Sequence, residues 1–172
     1  MNSKIAKYLK MTSEPVAVIM SDECPDDAIG FQKGKWGCVV SLVVAASKGK
    51  TASVSEETVV CKGGRAGTGI EPFKLGSIEY FLSTGGKDSR EPERFKKNPE
   101  LARKYVKSLP EISKLKYLIF KPLKLIGNEE KIAAIIFLVN ADQLSALVTL
   151  ANYDQENDMV RIPFGSGCVQ TL

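Results

Sequence analysis

The sequence predicts an α+β fold, in which a single compact domain holds a mixed β-sheet with flanking helices. Apolar, β-branched segments of strand length alternate with segments of helical periodicity, and glycine- and proline-rich turns separate them. Two late strands are joined by a short turn, which favours antiparallel neighbours. The 172 residues suffice for one core. Two pseudo-symmetric halves stay an open alternative.

The first third of the chain predicts a helix, a strand and a second helix. Asn2 or Ser3 caps the first helix, and Pro15 ends it before the buried strand PVAVIM. After an acidic, turn-rich loop comes the apolar run WGCVVSLVVAASKGK at residues 36–50. Its length and its closing Ala-Ala-Ser favour a buried helix, with Gly49 as the C-terminal cap.

The middle third predicts a strand, or a broken strand, at residues 51–61 and a glycine-rich stretch, CKGGRAGTG, at 61–69. A short helix follows around GSIEYFL, and a longer one begins at Asn98 as N-cap, with Pro99 in its first position. The many basic residues of this third are explained by a solvated helical face.

The last third predicts two strands, LKYLIFKPL and KIAAIIFLV, joined by the turn IGNEE. The segment ADQLSALVTLANY predicts an amphipathic helix. Its inward residues are Leu144, Leu147, Val148 and Ala151. A final strand, DMVRIPF, then leads into GSGCVQTL, which predicts the start of another helix.

The composition excludes several function classes. The net charge is only +4 and the lysines are dispersed, so we expect no nucleic-acid partner. No apolar segment has the length of a membrane span and no signal-peptide core is present, which predicts a cytoplasmic location away from the membrane. The absence of histidine rules out Ser-His and Cys-His catalysis and His-ligated metals. Oligomerisation stays open.

A Gly-Cys element occurs twice, as GCVVSL at residues 37–42 and as GCVQTL at 167–172. Either an internal duplication or two locally similar helix starts explain the pair. A cysteine in the first turn of a helix lies near unpaired amides and the positive end of the helix dipole, which favour the thiolate. The sequence places Cys38 and Cys168 in this setting, and Cys61 beside glycines at the end of a strand.

These three cysteines predict a thiol-centred site. In a cytoplasmic protein, cysteines are typical of thiols or metal ligands rather than of disulfides. If Cys38, Cys61 and Cys168 converge, they bind an iron–sulfur cluster or another thiolate-bound metal, and a redox-active thiol pair is a variant of the same site. No C-x-x-C pair supports a standard metal motif, and buried packing is the competing interpretation. Cys24, in a polar loop, is expected to be incidental.

The alternative function is a non-catalytic module that binds a small anionic ligand. Here the glycine-rich loop after Cys61 offers backbone amides to the ligand, and a basic side chain assists. The predicted ligand-binding residues are Lys62, Gly63, Gly64, Arg65 and Gly67. Whether the protein is an enzyme is left open by these patterns.

Ordered short motifs along the chain resemble the prokaryotic family catalogued as domain of unknown function 169. The matching residues are PVAV at 15–18, Cys38, CKGG at 61–64 and SGC at 166–168. The resemblance implies an α+β fold but no reaction, because none is established for that family. It also implies that this chain lacks a C-terminal portion present in relatives.

Overall fold

The structure is a computed structural model that describes residues 3–72, 75–86, 91–109, 115–157, 160, 162 and 165. Four strands form one sheet in the order β2-β3-β1-β4, and each neighbouring pair is antiparallel. Their bounds are β1 Val16–Ser21, β2 Ala52–Ser55, β3 Tyr117–Pro122 and β4 Ala134–Ile136. An isolated parallel bridge joins Ile29 to Ala52 at the β2 edge. The predicted α+β fold is confirmed.

Six α-helices are present in the described part of the chain. They are α1 Lys4–Tyr8, α2 Val39–Ser47, α3 Lys62–Gly67, α4 Ile78–Phe81, α5 Pro99–Lys107 and α6 Ala141–Asn152, and a 3-10 turn spans Leu123–Leu125. The capping predictions hold at three ends. The Ser3 side chain accepts a hydrogen bond from the Ala6 amide, and the Asn98 side chain accepts one from the Leu101 amide. Gly49, just after α2, has the positive φ of 105° that suits glycine.

The main core lies between the sheet and α2. It combines side chains from alternate positions of the strands with one face of the helix, as pleated strands and an apolar helix require. Its largest contributors include Val16, Val18, Val54, Leu118 and Phe120 from the strands and Val39, Leu42 and Val43 from α2. Because Val39 begins α2 and is buried, the core fixes the position of the preceding residue, Cys38.

Helices α4 and α5 pack on each other around a second cluster, formed by Leu82, Ala102 and Val106. Beside it, the buried carboxylate of Glu79 pairs with Arg103 at 3.2 Å. The second cluster gives this helix pair an apolar contact of its own, separate from the core under the sheet.

The predicted and observed bounds differ in several places. Residues 51–61 form the broken alternative, because β2 ends at Ser55, where the Ser55 amide donates to the Thr58 hydroxyl and closes a turn. Strand β4 is shorter than residues 131–139, because it lies at the edge and pairs only with residues 16–18. The inward face predicted for α6 is only half-buried at Leu144, Leu147 and Val148 and exposed at Ala151. Little of the described chain covers this helix.

Other predictions fall on residues that the structure does not describe. Most of the predicted strand at 158–164 and nearly all of the predicted helix at 165–172, including Cys168, lie outside the described residues. The comparison of the two Gly-Cys copies is therefore untested. Across the described residues, no helix has both the length and the apolar character that a bilayer crossing requires.

Candidate functional site

Cys38 and Cys61 line the same small pocket, which lies between the start of α2 and one side of α3. Its free volume is about 20 Å³, and both cysteines are half-buried. The other lining residues are apolar or small apart from one threonine: Val39, Val40, Gly64, Gly67 and Thr68. Two of the three cysteines predicted to converge thus face one pocket.

Cys38 was predicted to lie in the first turn of α2, but it is the N-cap, one residue before the helix. Its backbone is extended, with φ −88° and ψ 126°, and its thiol makes no capping hydrogen bond. The Ser41 amide and hydroxyl both donate to the Cys38 carbonyl, at 2.9 and 2.7 Å, and close the first turn. The Ser41 amide thus has the Cys38 carbonyl as its partner, so the first turn of α2 closes without the Cys38 side chain, and Cys38 lines the pocket.

Cys61 is the N-cap of α3, and here the prediction of an open glycine-rich loop is wrong. Residues 62–67 form a helix despite the low helix propensity of glycine. The Cys61 sulfur accepts a hydrogen bond from the Gly64 amide at 3.4 Å. At the other end, the buried Thr68 hydroxyl donates to the Gly64 carbonyl at 2.7 Å. Capping at both ends offsets the propensity cost.

Glycines bring the two helix starts close to each other and to the core. A methyl group placed on Gly64 would lie 2.7 Å from Val39 Cγ2, and one on Gly37 would overlap the Phe31 ring. Neither glycine has a positive φ. The absence of a side chain at Gly37 and Gly64 thus leaves room for side chains from the main core and its edge.

Arg65 anchors α3 to the segment before it. Its Nε lies 2.5 Å from a Glu71 carboxylate oxygen, and one terminal nitrogen donates to the carbonyls of Glu56 and Val59, at 2.8 and 3.0 Å. Lys62 is exposed at the first position of the helix. Of the five predicted ligand-binding residues, Gly64 and Gly67 line the pocket, while the guanidinium of Arg65 is already engaged by protein groups.

The remaining cysteines do not extend the site within the described chain. Cys24 is exposed, and its sulfur lies 3.2 Å from the Ser53 hydroxyl, away from the pocket lining. Cys168 lies outside the described residues. Among the residues that are described, no three His, Cys, Asp or Glu side chains are grouped to hold a metal ion. The described pocket therefore supplies two sulfurs, and the three-cysteine set stays a prediction.

Two contributors to the site were missed by sequence reasoning. Val40 is 43% exposed and forms part of the pocket wall, and Thr68 closes α3 from inside. For Thr68 a signal existed, because it follows Gly64 by four residues, the spacing at which a hydroxyl returns to a helical carbonyl. The exposure of Val40 depends on tertiary packing and had no such signal.

Comparison with known proteins gives one family. A family model described as DUF169, an uncharacterised ArCR, matches residues 4–172. Neither the curated proteins nor the solved structures contain a match to this chain. The family match therefore identifies relatives of this chain but no reaction.

Proposed function

The chain belongs to the DUF169 family of uncharacterised proteins, as the resemblance predicted, and we propose that its function resides in a thiol site at Cys38 and Cys61 that binds a thiophilic metal or an iron–sulfur cluster. One observation carries the proposal: two cysteines distant in sequence from each other cap two different helices and line one pocket. The two residues are distant in sequence and line one pocket, and this supports treating them as a pair.

The immediate surroundings of the sulfurs suit a ligand role. A backbone amide already donates to the Cys61 sulfur, which is how proteins orient and tune thiolate ligands. The Cys38 sulfur makes no capping bond. Both cysteines are half-buried, so a metal bound between them would be partly shielded from water. Binding would require both thiols to lose their protons.

A redox-active pair is the other chemistry open to the same two thiols. In that case each thiol loses a proton and an electron to an oxidant such as a disulfide, and a sulfur–sulfur bond joins Cys38 to Cys61. The anion-binding alternative stays a sequence prediction. Because Glu71 and two carbonyls engage the Arg65 guanidinium, that alternative draws less support from the geometry.

The test compares three serine variants, Cys38→Ser, Cys61→Ser and the control Cys24→Ser. Cys24 is a thiol of the same chain that does not line the pocket. Wild type and variants are purified anaerobically, analysed for bound zinc, copper and iron, and scanned for cluster absorbance near 400 nm. They are analysed again after each metal is supplied and after treatment with a small-molecule disulfide.

We expect the wild type and Cys24→Ser to retain metal, and Cys38→Ser and Cys61→Ser to lose it. A disulfide between Cys38 and Cys61, without metal in any preparation, would support the redox variant of the site. Metal retention in all four proteins, or neither metal nor disulfide in the wild type, would contradict the proposal.

A further inference from the structure

We infer that the pocket binds one soft monovalent cation of the copper(I) class, held by Cys38 and Cys61 alone in two-coordinate geometry. This inference rests on the proposed thiol site and selects one occupant among those it allows. Three properties of the pocket lead to it, namely its size, its donor atoms and its walls.

The size of the pocket favours a single ion over a cluster. Its free volume of about 20 Å³ is close to the roughly 10–15 Å³ that one water-sized sphere occupies. An iron–sulfur cluster contains several iron and sulfide atoms, so most of it would lie outside this space, on the open side of the pocket. Enlarging the pocket would separate α2 from α3 at the Val39–Gly64 contact, where the core holds Val39 with 4% exposure.

The donor atoms favour a thiophilic ion with a low coordination number. Besides the two cysteines, the only described lining residue with a side-chain heteroatom is Thr68, whose hydroxyl donates to the Gly64 and Arg65 carbonyls. The chain has no histidine, and none of the described residues that line the pocket has a carboxylate. Zinc favours four ligands, and magnesium and calcium require six or more, mostly oxygens. Copper(I) is selected by soft sulfur ligands and is satisfied by two thiolates.

The described walls of the pocket are apolar apart from Thr68 and offer an ion no ligands other than the two cysteines. Two thiols bind the ion and release two protons, so that Cu⁺ and two R–SH give a bis-thiolate complex of charge −1 and two H⁺. A divalent ion that prefers oxygen ligands would find none on the apolar side chains of Val39 and Val40. The exposed Lys62 at the first position of α3 provides a nearby positive charge for the single negative charge.

The experiment titrates the full chain with copper(I) under anaerobic conditions in competition with a chromophoric copper(I) chelator. Zinc(II) is titrated in parallel against a zinc indicator. The proteins are wild type, Cys38→Ala, Cys61→Ala, Cys24→Ala and Cys168→Ala, each checked for folding by urea denaturation. X-ray absorption of the copper-loaded wild type counts the sulfur ligands and needs no variant.

We expect one copper(I) per chain with two sulfur ligands, and weaker zinc binding. The affinity for copper(I) should fall by more than about 100-fold in Cys38→Ala and Cys61→Ala. This exceeds the roughly 10- to 100-fold loss that is typical when a residue hydrogen-bonded to a metal ligand is changed. The affinity should stay within about twofold in Cys24→Ala and Cys168→Ala.

Different failures separate the inference from the proposed function. Tight zinc binding that depends on Cys168, three sulfurs on copper, or an iron–sulfur chromophore would overturn the inference and leave the thiol site standing. Absence of any metal bound through Cys38 and Cys61 would overturn the inference; if no disulfide joins them either, the proposed function falls with it.

Discussion

Gly64 lies where α3 meets the first residue of α2, and the Val39 side chain fills the space beside it. Alanine in the middle of a helix is normally favourable by up to about 1 kcal/mol over glycine. Here the added methyl would lie 2.7 Å from Val39 Cγ2, and a buried valine has little freedom to turn away. At this residue, therefore, steric contact outweighs helix propensity.

We predict that Gly64→Ala lowers the free energy of unfolding by about 1–3 kcal/mol, the usual cost of overpacking. Urea denaturation measures the change, and the reaction rate of the pocket thiols with an alkylating reagent reports the altered pocket. Gly86→Ala is the control, because its methyl would lie 3.7 Å from Tyr80, an ordinary contact distance. Equal stability in the two variants would contradict the prediction.

Glu79 is the most deeply buried carboxylate with a charged partner among the described residues, with a side chain 1% exposed. Burial raises its pKa, but hydrogen bonds from the amides of Glu79 and Gly76 and the nearby Arg103 outweigh burial, so the net pKa is below its ordinary value of 4.5. A lowered folded-state pKa means that the ionised form stabilises the fold. That contribution is present above the unfolded pKa and is lost as the pH falls through the folded pKa.

We predict that Glu79→Gln costs about 1.5–3 kcal/mol at pH 7, the range for hydrogen bonds to a charged group. The difference from wild type should shrink as the pH falls below about 4.5, where Glu79 of the unfolded chain becomes protonated, and should disappear below the lowered pKa of folded Glu79. Urea denaturation at pH 7, 5 and 3 measures it. Glu100→Gln, at an exposed pair with Lys104, is the control and should change stability little. A difference that is constant with pH would refute the role of the charge.

The stability of helix α6 depends more on its N-terminal cap than on buried side chains. None of its residues is fully buried, so packing contributes less than in α2. Asn140 and Gln143 form a reciprocal capping box, with distances of 2.9 and 3.0 Å. The Gln143 side chain also donates to the Leu9 carbonyl at 2.9 Å, just after α1. One glutamine thus starts α6 and attaches it to the first helix.

We predict that Asn140→Ala costs about 0.5–2 kcal/mol, as for other N-caps. Gln143→Ala should cost more, because it removes the capping bond and the bond to Leu9 together. The double variant should cost less than the sum, since both single changes break the same box. Urea denaturation gives the three values, with the exposed helical Thr149→Ala as control. Strict additivity would argue against the box.

Among the helices and strands, the sequence predicted a helix end correctly where a single residue determines that end. Ser3 and Asn98 mark helix starts by their own side chains, and Gly49 marks an end by its positive φ. Helix α3 was missed because its stability comes from Thr68 and Arg65 and not from its glycines. The meeting of Cys38 with Cys61 was predicted as a possibility only, because it requires α2 to pack on the sheet and α3 to pack on α2.

At the scale of the whole molecule, apolar packing is divided between the main core and the α4–α5 cluster. Leu82 is fully buried in the second cluster, and Leu118 is fully buried in the first. Each cluster has its own cooperative contacts, so we expect the two regions to open to solvent separately.

We predict that Leu82→Ala, which typically costs about 2–5 kcal/mol at a buried site, accelerates amide hydrogen exchange in α5 while β1 and β3 stay protected. Leu118→Ala should instead deprotect the strands. Hydrogen exchange followed by mass spectrometry measures both patterns. Uniform acceleration across both regions in the Leu82→Ala protein would show a single cooperative unit.

The strand order β2-β3-β1-β4 has a consequence for synthesis. Strand β1 at residues 16–21 has both its partners, β3 and β4, beyond residue 116, so it leaves the ribosome long before either neighbour exists. Such distant pairing slows folding and leaves apolar strands exposed in the nascent chain. Throughout that interval α2 has no finished sheet to pack on. Cys38 and Cys61 are then exposed separately on the nascent chain. We expect them to line one pocket only when the last third of the chain has emerged and the sheet has formed.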